Sequence, residues 1–217
     1  MANPFDNISE KNIKKVLQLI EGHTFKYGVK EDIIQTIRTD SMIGIVLDGM
    51  CEIIYHDYKG NEITVETLTE NQIFGTDISG INNREFSIMT KEPTTIVTFD
   101  YKILTRRDHL DNRYYCEFIL NMFDIIHDKI KEKNERIQIL SNKTIRNKLL
   151  EFFSIERKKS HSRNIYLPGN FSDLANYLCV DRAAMTRELS FMKEEGFIET
   201  KTKRITVLYD ENLKNRN

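Results

Sequence analysis

Arg182 and Arg187, with Thr186 beside the second of them, are the side chains of this sequence best suited to act on another molecule. A guanidinium presents a rigid fork of donors that can grip guanine O6 and N7 with two hydrogen bonds. Thr186 suits either a phosphate or a base edge. Whether these groups face outward depends on their neighbours. In the stretch from Ser172 to Leu189, Leu174, Ala175 and Leu178 form one helical face, and Met185, Leu189 and Met192 form another at steps of four and three. Ala175 is small enough for two helices to cross closely. Val180 plugs the turn between them, and Asp181 can cap the second helix. Burial of the apolar faces leaves Arg182, Thr186 and Arg187 exposed on the N-terminal half of the second helix. This is the pattern of a helix-turn-helix, in which that half enters the major groove of duplex DNA. Ser172, at the head of the first helix, belongs to the same expected contact set. Lys201, Lys203 and Arg204 follow on a predicted hairpin, with Gly196 as the stop between helix and strand. All three are expected to touch the phosphate backbone as a wing.

Two further elements must position this unit. From His109 to Leu140 the chain has neither Gly nor Pro. Cys116, Ile119, Phe123, Ile126, Ile130, Lys133, Ile137 and Leu140 recur at alternating steps of three and four, the seam of a coiled coil. The spacing predicts one helix of roughly 48 Å, at ~1.5 Å per residue, that meets a second copy of itself. A second stripe, Tyr115, Phe118, Met122 and Ile125, stops halfway and is expected to pack on the chain's own N-terminal domain. Ahead of it, from Thr24 to Asp100, short β-type runs alternate with turn signals such as Asp48-Gly49 and Tyr58-Lys59-Gly60-Asn61, which points to a β-barrel or β-roll. A short amphipathic helix, Ile8 to Gly22, precedes them. After Leu140, Ser141 is a stop and candidate cap at a hinge. Lys143 to Phe153 reads as helix, Arg157 to Arg163 as a basic surface loop, and Ile165 to Leu167 as a strand. The fold class is α+β: a jelly-roll-like β-roll sensor over 1–108, a dimerisation helix over 109–140 and a winged helix-turn-helix over 141–217.

Charge follows the same division. From Ser141 onward the chain carries 15 basic and 10 acidic residues, and the remainder is acidic, with a net of −6. Only the C-terminal part is suited to a polyanion. Nothing resembles a signal peptide or a membrane span, so a cytoplasmic protein without a membrane partner is expected. Cys51, Cys116 and Cys179 stand far apart, with no metal-ligand spacing. A metal-dependent β-roll enzyme of the cupin kind would need several converging His and Glu. The strands carry only His56, with no His-x-His pair. No catalytic residue and no metal ligand is assigned.

With these motifs in view, the chain resembles the CRP/FNR superfamily of bacterial transcription regulators. The most specific piece is Val180-Asp181-Arg182-Ala183-Ala184-Met185-Thr186-Arg187-Glu188-Leu189, followed by Glu195-Gly196-Phe197-Ile198. It is similar to the family's recognition-helix signature, and Lys143-Thr144-Ile145-Arg146-Asn147-Lys148-Leu149 to the segment after the hinge. The resemblance implies a homodimer on a palindromic operator, with Arg182 and Arg187 as base-reading arginines. It places Asp181 on a capping Ser that also meets phosphate. Ala183 departs from a Glu that reads cytosine, so the operator should differ at that base step. RNA polymerase is an implied partner, through the basic segment 157–163.

For the sensor, the resemblance implies a Gly-Glu pair for a ribose and an Arg-Ser or Arg-Thr pair for a cyclic phosphate. The corresponding residues here are Gly75, Thr76, Arg84 and Glu85. Thr76 replaces the glutamate, and the carboxylate of Glu85 would repel a phosphate, so cyclic AMP is not expected. An iron–sulfur cluster is not expected either, because no cysteine precedes Cys51. Haem would need an axial ligand, and none of His23, His56, His109 or His127 is singled out. A small organic effector in the β-roll, or a sensor without a ligand, remains.

Overall fold

A computed structural model of the chain describes residues 3–35, 41–79, 81, 85–167, 169–201 and 203–209. Its contacts divide it into two compact units, Met1–Asp128 and Lys129–Asn217.

The first unit begins with α1 (Glu10–Leu19), shorter than the predicted helix, and continues through β1 (His23–Tyr27), β2 (Met42–Asp48), β3 (Cys51–His56), β4 (Glu62–Leu68), β5 (Ile73–Gly75), α2 (Thr76–Ser79), β6 (Phe86–Thr90) and β7 (Thr94–Asp100). A 3-10 turn, Tyr101–Thr105, leads towards α3 (Arg113–Leu140). The strands form two antiparallel sheets, ordered β1-β7-β2-β5 and β4-β3-β6. This is the expected β-roll. Of the predicted segment Val29 to Thr36, the described part makes a single bridge, Asp32 to Met89, and Thr36 lies outside the described residues.

The four-stranded sheet is covered on both faces, so β2 reads as an unbroken apolar run and not as an alternating one. Val46, Phe74 and Ile96 meet Ile53, Leu68 and Ile88 of the other sheet. Ile43, Ile45, Val97 and Phe99 meet α1 and α3. Gly44 is required inside this strand, because a Cβ there would run into the Phe74 ring. The predicted half-stripe of α3 packs where the sequence placed it: Tyr115, Phe118, Met122 and Ile125 are all buried in that second cluster. Tyr115 donates its hydroxyl to the carbonyl of Ile103, 2.6 Å away.

α3 starts at Arg113 and not at His109. Asn112 Oδ1 accepts from the backbone N–H groups of Tyr114 and Tyr115 at 3.0 and 3.2 Å, which caps the helix there. Its 28 residues span about 42 Å at ~1.5 Å each.

The second unit contains the end of α3, then α4 (Ile145–Ser160), β8 (Asn164–Tyr166), α5 (Phe171–Tyr177), α6 (Arg182–Glu194), β9 (Ile198–Lys201) and β10 (Arg204–Val207). The three strands form a small antiparallel sheet, β8-β10-β9. Two expectations are corrected here. Thr144, not Ser141, caps α4: its Oγ1 accepts from Asn147 N at 3.1 Å, whereas Ser141 Oγ donates back to the Ile137 carbonyl. Arg157 to Ser160 are the last turn of α4 and not a loop. Lys159 pairs with Glu156 one turn earlier and with Glu135 at 2.7 Å, and His161, at φ +48°, ends the helix.

Candidate nucleic-acid interface

The helix-turn-helix is built from its caps inward. Asn170 Oδ1 accepts from the backbone N–H groups of Ser172 and Asp173, and Asp173 Oδ2 accepts from Asn170 N at 2.7 Å. This reciprocal capping box starts α5. After α5 the chain turns through Cys179 at φ +51°, and Val180 N donates to the Ala175 carbonyl. Asp181 Oδ1 then accepts from Ala184 N at 2.8 Å and starts α6, as its side-chain chemistry predicted. Leu174, Ala175, Leu178, Met185, Leu189 and Met192 are buried in one cluster with Phe153 and Ile205, and Val180 packs at its edge. α6 ends at Gly196, φ +75°, where a left-handed residue is needed.

Burial of that face fixes what the opposite face presents. Asp181, Arg182, Ala183, Thr186 and Arg187 are all exposed over the first turn and a half of α6. Neither Arg182 nor Arg187 makes a side-chain hydrogen bond or ion pair with the described residues. Thr186 donates its hydroxyl to the Arg182 carbonyl at 2.9 Å, so towards a ligand it is left to act as an acceptor. Lys201 and Lys203 are exposed on the β9–β10 hairpin, where Lys201 pairs with Arg204 across the strands. Thr202, between them, lies outside the described residues. Ser172 stands apart from the α6 face: it is half-buried in the first turn of α5.

Sequence reasoning missed the group that holds α6 in place. Arg146, in the first turn of α4, donates from Nε to Glu188 at 2.5 Å, and from its two Nη atoms to Glu195 at 2.8 Å each. Its hydrogen bonds to Glu195 and then to Glu188 push its guanidinium further into the basic range. The carboxyl of Glu195 is held below its ordinary value, chiefly by its bond to Arg146. A carboxylate pair seven residues apart, which shares one side of a helix, was the available signal. Lys148 adds a bond from Nζ to the Leu178 carbonyl at the end of α5.

The α3 seam divides by exposure. Phe123 is 69% exposed, Ile130 55% and Ile137 61%, with Lys133 also exposed. Cys116, Ile119, Ile126 and Leu140 are half-buried. Leu120, 62% exposed, is an apolar neighbour that the heptad reading left out. Ile119, Phe123 and Ile126 also line an apolar recess of about 370 Å³, with Met42, Tyr101 and Leu104.

The residues predicted for an effector take these places. Gly75 ends β5 in the four-stranded sheet and Thr76 opens α2. Glu85 is exposed just before β6 of the other sheet, and Arg84 lies outside the described residues. No group of three or more His, Cys, Asp or Glu among the described residues could hold a metal ion. No helix among them is long and apolar enough to cross a membrane.

With this geometry established, comparison with known proteins adds three findings. Residues 146–216 match the family model for the Crp-like helix-turn-helix domain. No curated protein matches the chain by sequence. Among solved structures, a cysteine-to-serine variant of CprK in complex with OCPA is 15% identical with a TM-score of 0.68, over 95% of this chain and 93% of that one. A CooA mutant from Carboxydothermus hydrogenoformans is 22% identical, with a TM-score of 0.59 over 95% of both chains. The c-di-GMP-responsive regulator CLP of Xanthomonas campestris is 14% identical, with a TM-score of 0.53 over 93% of this chain and 100% of that one. At such identities the likeness is one of fold.

Proposed function

From a chain that carries a Crp-like helix-turn-helix domain within the fold shared by CprK, CooA and CLP, we propose a homodimeric, sequence-specific DNA-binding transcription regulator acting on a palindromic operator. The observation that carries the proposal is the pair Arg182 and Arg187, exposed and without a side-chain partner among the described residues, on a helix whose other face is locked into a core. In this reading the two arginines read base edges, Thr186 accepts from the DNA, and Lys201 and Lys203 neutralise phosphates. Ala183 offers only a methyl group and reads no cytosine.

The homodimer is supported by Phe123, Ile130 and Ile137, which recur every seven residues and remain exposed on the single chain. A symmetric pair would present two α6 helices to successive major grooves about 34 Å apart. The basic segment Arg157 to Arg163, which begins in the last turn of α4, is the candidate contact for RNA polymerase. The cytoplasm is the compartment such a regulator needs.

Control is assigned to a small molecule in the β-roll other than cyclic AMP. CprK is described in complex with OCPA and CLP as c-di-GMP-responsive, so this fold accommodates different effectors. Thr76 and the exposed Glu85 carboxylate argue against a cyclic phosphate. A ligand-free sensor on a constitutive DNA binder is the second reading, favoured by the same two departures. Operator affinity of protein stripped of small molecules, measured with and without cell extract, separates the two.

The test of the main claim is a gel shift on an operator selected from random DNA. Arg187→Ala should abolish specific binding while the dimer persists. Retention of specific binding by this variant would refute the groove assignment.

A further inference from the structure

The second unit contains a half-open cavity of about 320 Å³ lined by the end of α3, by α4, by α5 and by the segment that leads into α5. This volume is within the range of small-molecule sites. Its walls combine two kinds of surface. Phe152 and Tyr177 meet edge to face, with ring centroids 5.9 Å apart, and Leu167 and Leu174 extend the apolar side. Glu132 and Glu156 supply carboxylates at the other side.

The charges do not cancel. Among the described residues Lys159 is the one cation lining the cavity, and its Nζ is already held by Glu135 at 2.7 Å and Glu156 at 3.3 Å. Asp173, also in the lining, is committed to the Asn170 cap. Glu132 makes no ion pair or hydrogen bond with the described residues. The Tyr177 ring already acts as a cation acceptor: the guanidinium of Arg136 lies 5.2 Å from its centroid. Of these six charges, Glu132, Glu135, Glu156 and Asp173 are negative and Lys159 and Arg136 positive, with Glu132 and Asp173 exposed. Burial raises the pKa of the Tyr177 phenol; Lys159 and Arg136 then lower it and Glu132 and Glu156 raise it through space, so all four charges lie in the field of that ring.

We infer that this cavity is a binding site for a small organic cation, an ammonium carrying an aromatic or aliphatic body. The ammonium is held between Glu132 and Glu156, and the body lies against Phe152, Leu167 and Tyr177. A neutral body gains nothing from the exposed Glu132 or from Glu156, and an anion meets two carboxylates. Cation binding here is independent of DNA binding, so either reading can fail without the other.

The test uses the full chain, titrated by calorimetry and ligand-observed NMR with phenethylammonium, 2-phenylethanol and phenylacetate. The ammonium should bind at least tenfold more tightly than the alcohol, and phenylacetate should not bind. Glu132→Gln, at the cavity rim, should weaken the ammonium about fivefold or more and leave the alcohol unchanged. Tyr177→Leu should weaken it further, and Tyr177→Phe should preserve it. Equal binding of ammonium and alcohol would overturn the inference. So would unchanged affinity in a folded Glu132→Gln, or absence of ammonium binding at millimolar concentration.

Discussion

Ile130→Ala is the sharpest probe of the α3 seam. Ile130 is 55% exposed on the single chain and stands one heptad from Phe123 and from Ile137. Full burial of an isoleucine side chain is worth about 1.5–3 kcal/mol. Covering the exposed fraction is then worth about 0.8–1.6 kcal/mol per protomer, and twice that in a symmetric pair. The variant should therefore weaken the dimer dissociation constant by roughly 15- to 200-fold, at 1.4 kcal/mol per decade. Alanine is the better helix former, so α3 itself should survive the change. Sedimentation equilibrium over a range of concentrations reads the effect, and circular dichroism checks the helix. Lys133→Leu, which replaces the only charged member of the seam, should shift association the opposite way. If Ile130→Ala associates like the parent protein, or if the parent remains a single subunit at micromolar concentration, the seam is not an interface.

Three other outcomes follow from the site and from the core. Arg146→Ala should loosen α6 and weaken operator binding, with partial recovery in Arg146→Lys, which keeps the charge but loses the fork; gel shifts of the three proteins check this. Asp181→Ala should lower unfolding free energy by about 1 kcal/mol, the usual cost of a lost N-cap, as read from urea unfolding. Burial, reinforced by Glu52 and Glu66, pushes the Cys51 thiol from 9.0 up to about 12. Above pH 9 the unfolded chain releases this proton while the folded chain keeps it, so ionisation favours unfolding. The contribution of this group to stability is therefore intact below pH 9 and is lost as pH rises towards 12. Cys51→Ala should reduce the loss of stability over that range in thermal melts, and Cys51 should react with alkylating reagents far more slowly than the exposed Cys179.

The elements that local chemistry determines were readable in the sequence. α5, α6 and their turn were legible because Asp181, the Met185–Leu189–Met192 face and Gly196 each act within a few residues. The buried half-stripe of α3 was equally plain, because Tyr115 to Ile125 keep helical spacing. The end of α4 was misread because Arg157-Lys158-Lys159-Ser160 looks like a solvated loop. Lys and Arg are in fact good helix formers, and pairing of Lys159 with Glu156 and Glu135 holds the last turn. The Arg146 clamp joins residues 42 and 49 positions apart, which no local pattern announces. Of the predicted effector residues, Gly75 ends β5, Thr76 opens α2 and Glu85 precedes β6, positions that depend on how the strands pair and not on any local pattern.

The carboxylate that opens α6 has a consequence for how such a protein would search a genome. On the proposed reading, Asp181 leads the helix into a groove flanked by phosphates. That arrangement lowers the electrostatic grip that any regulator has on arbitrary DNA. Residence at wrong sites is shortened, travel proceeds more by release and recapture than by sliding, and discrimination rests with the arginines.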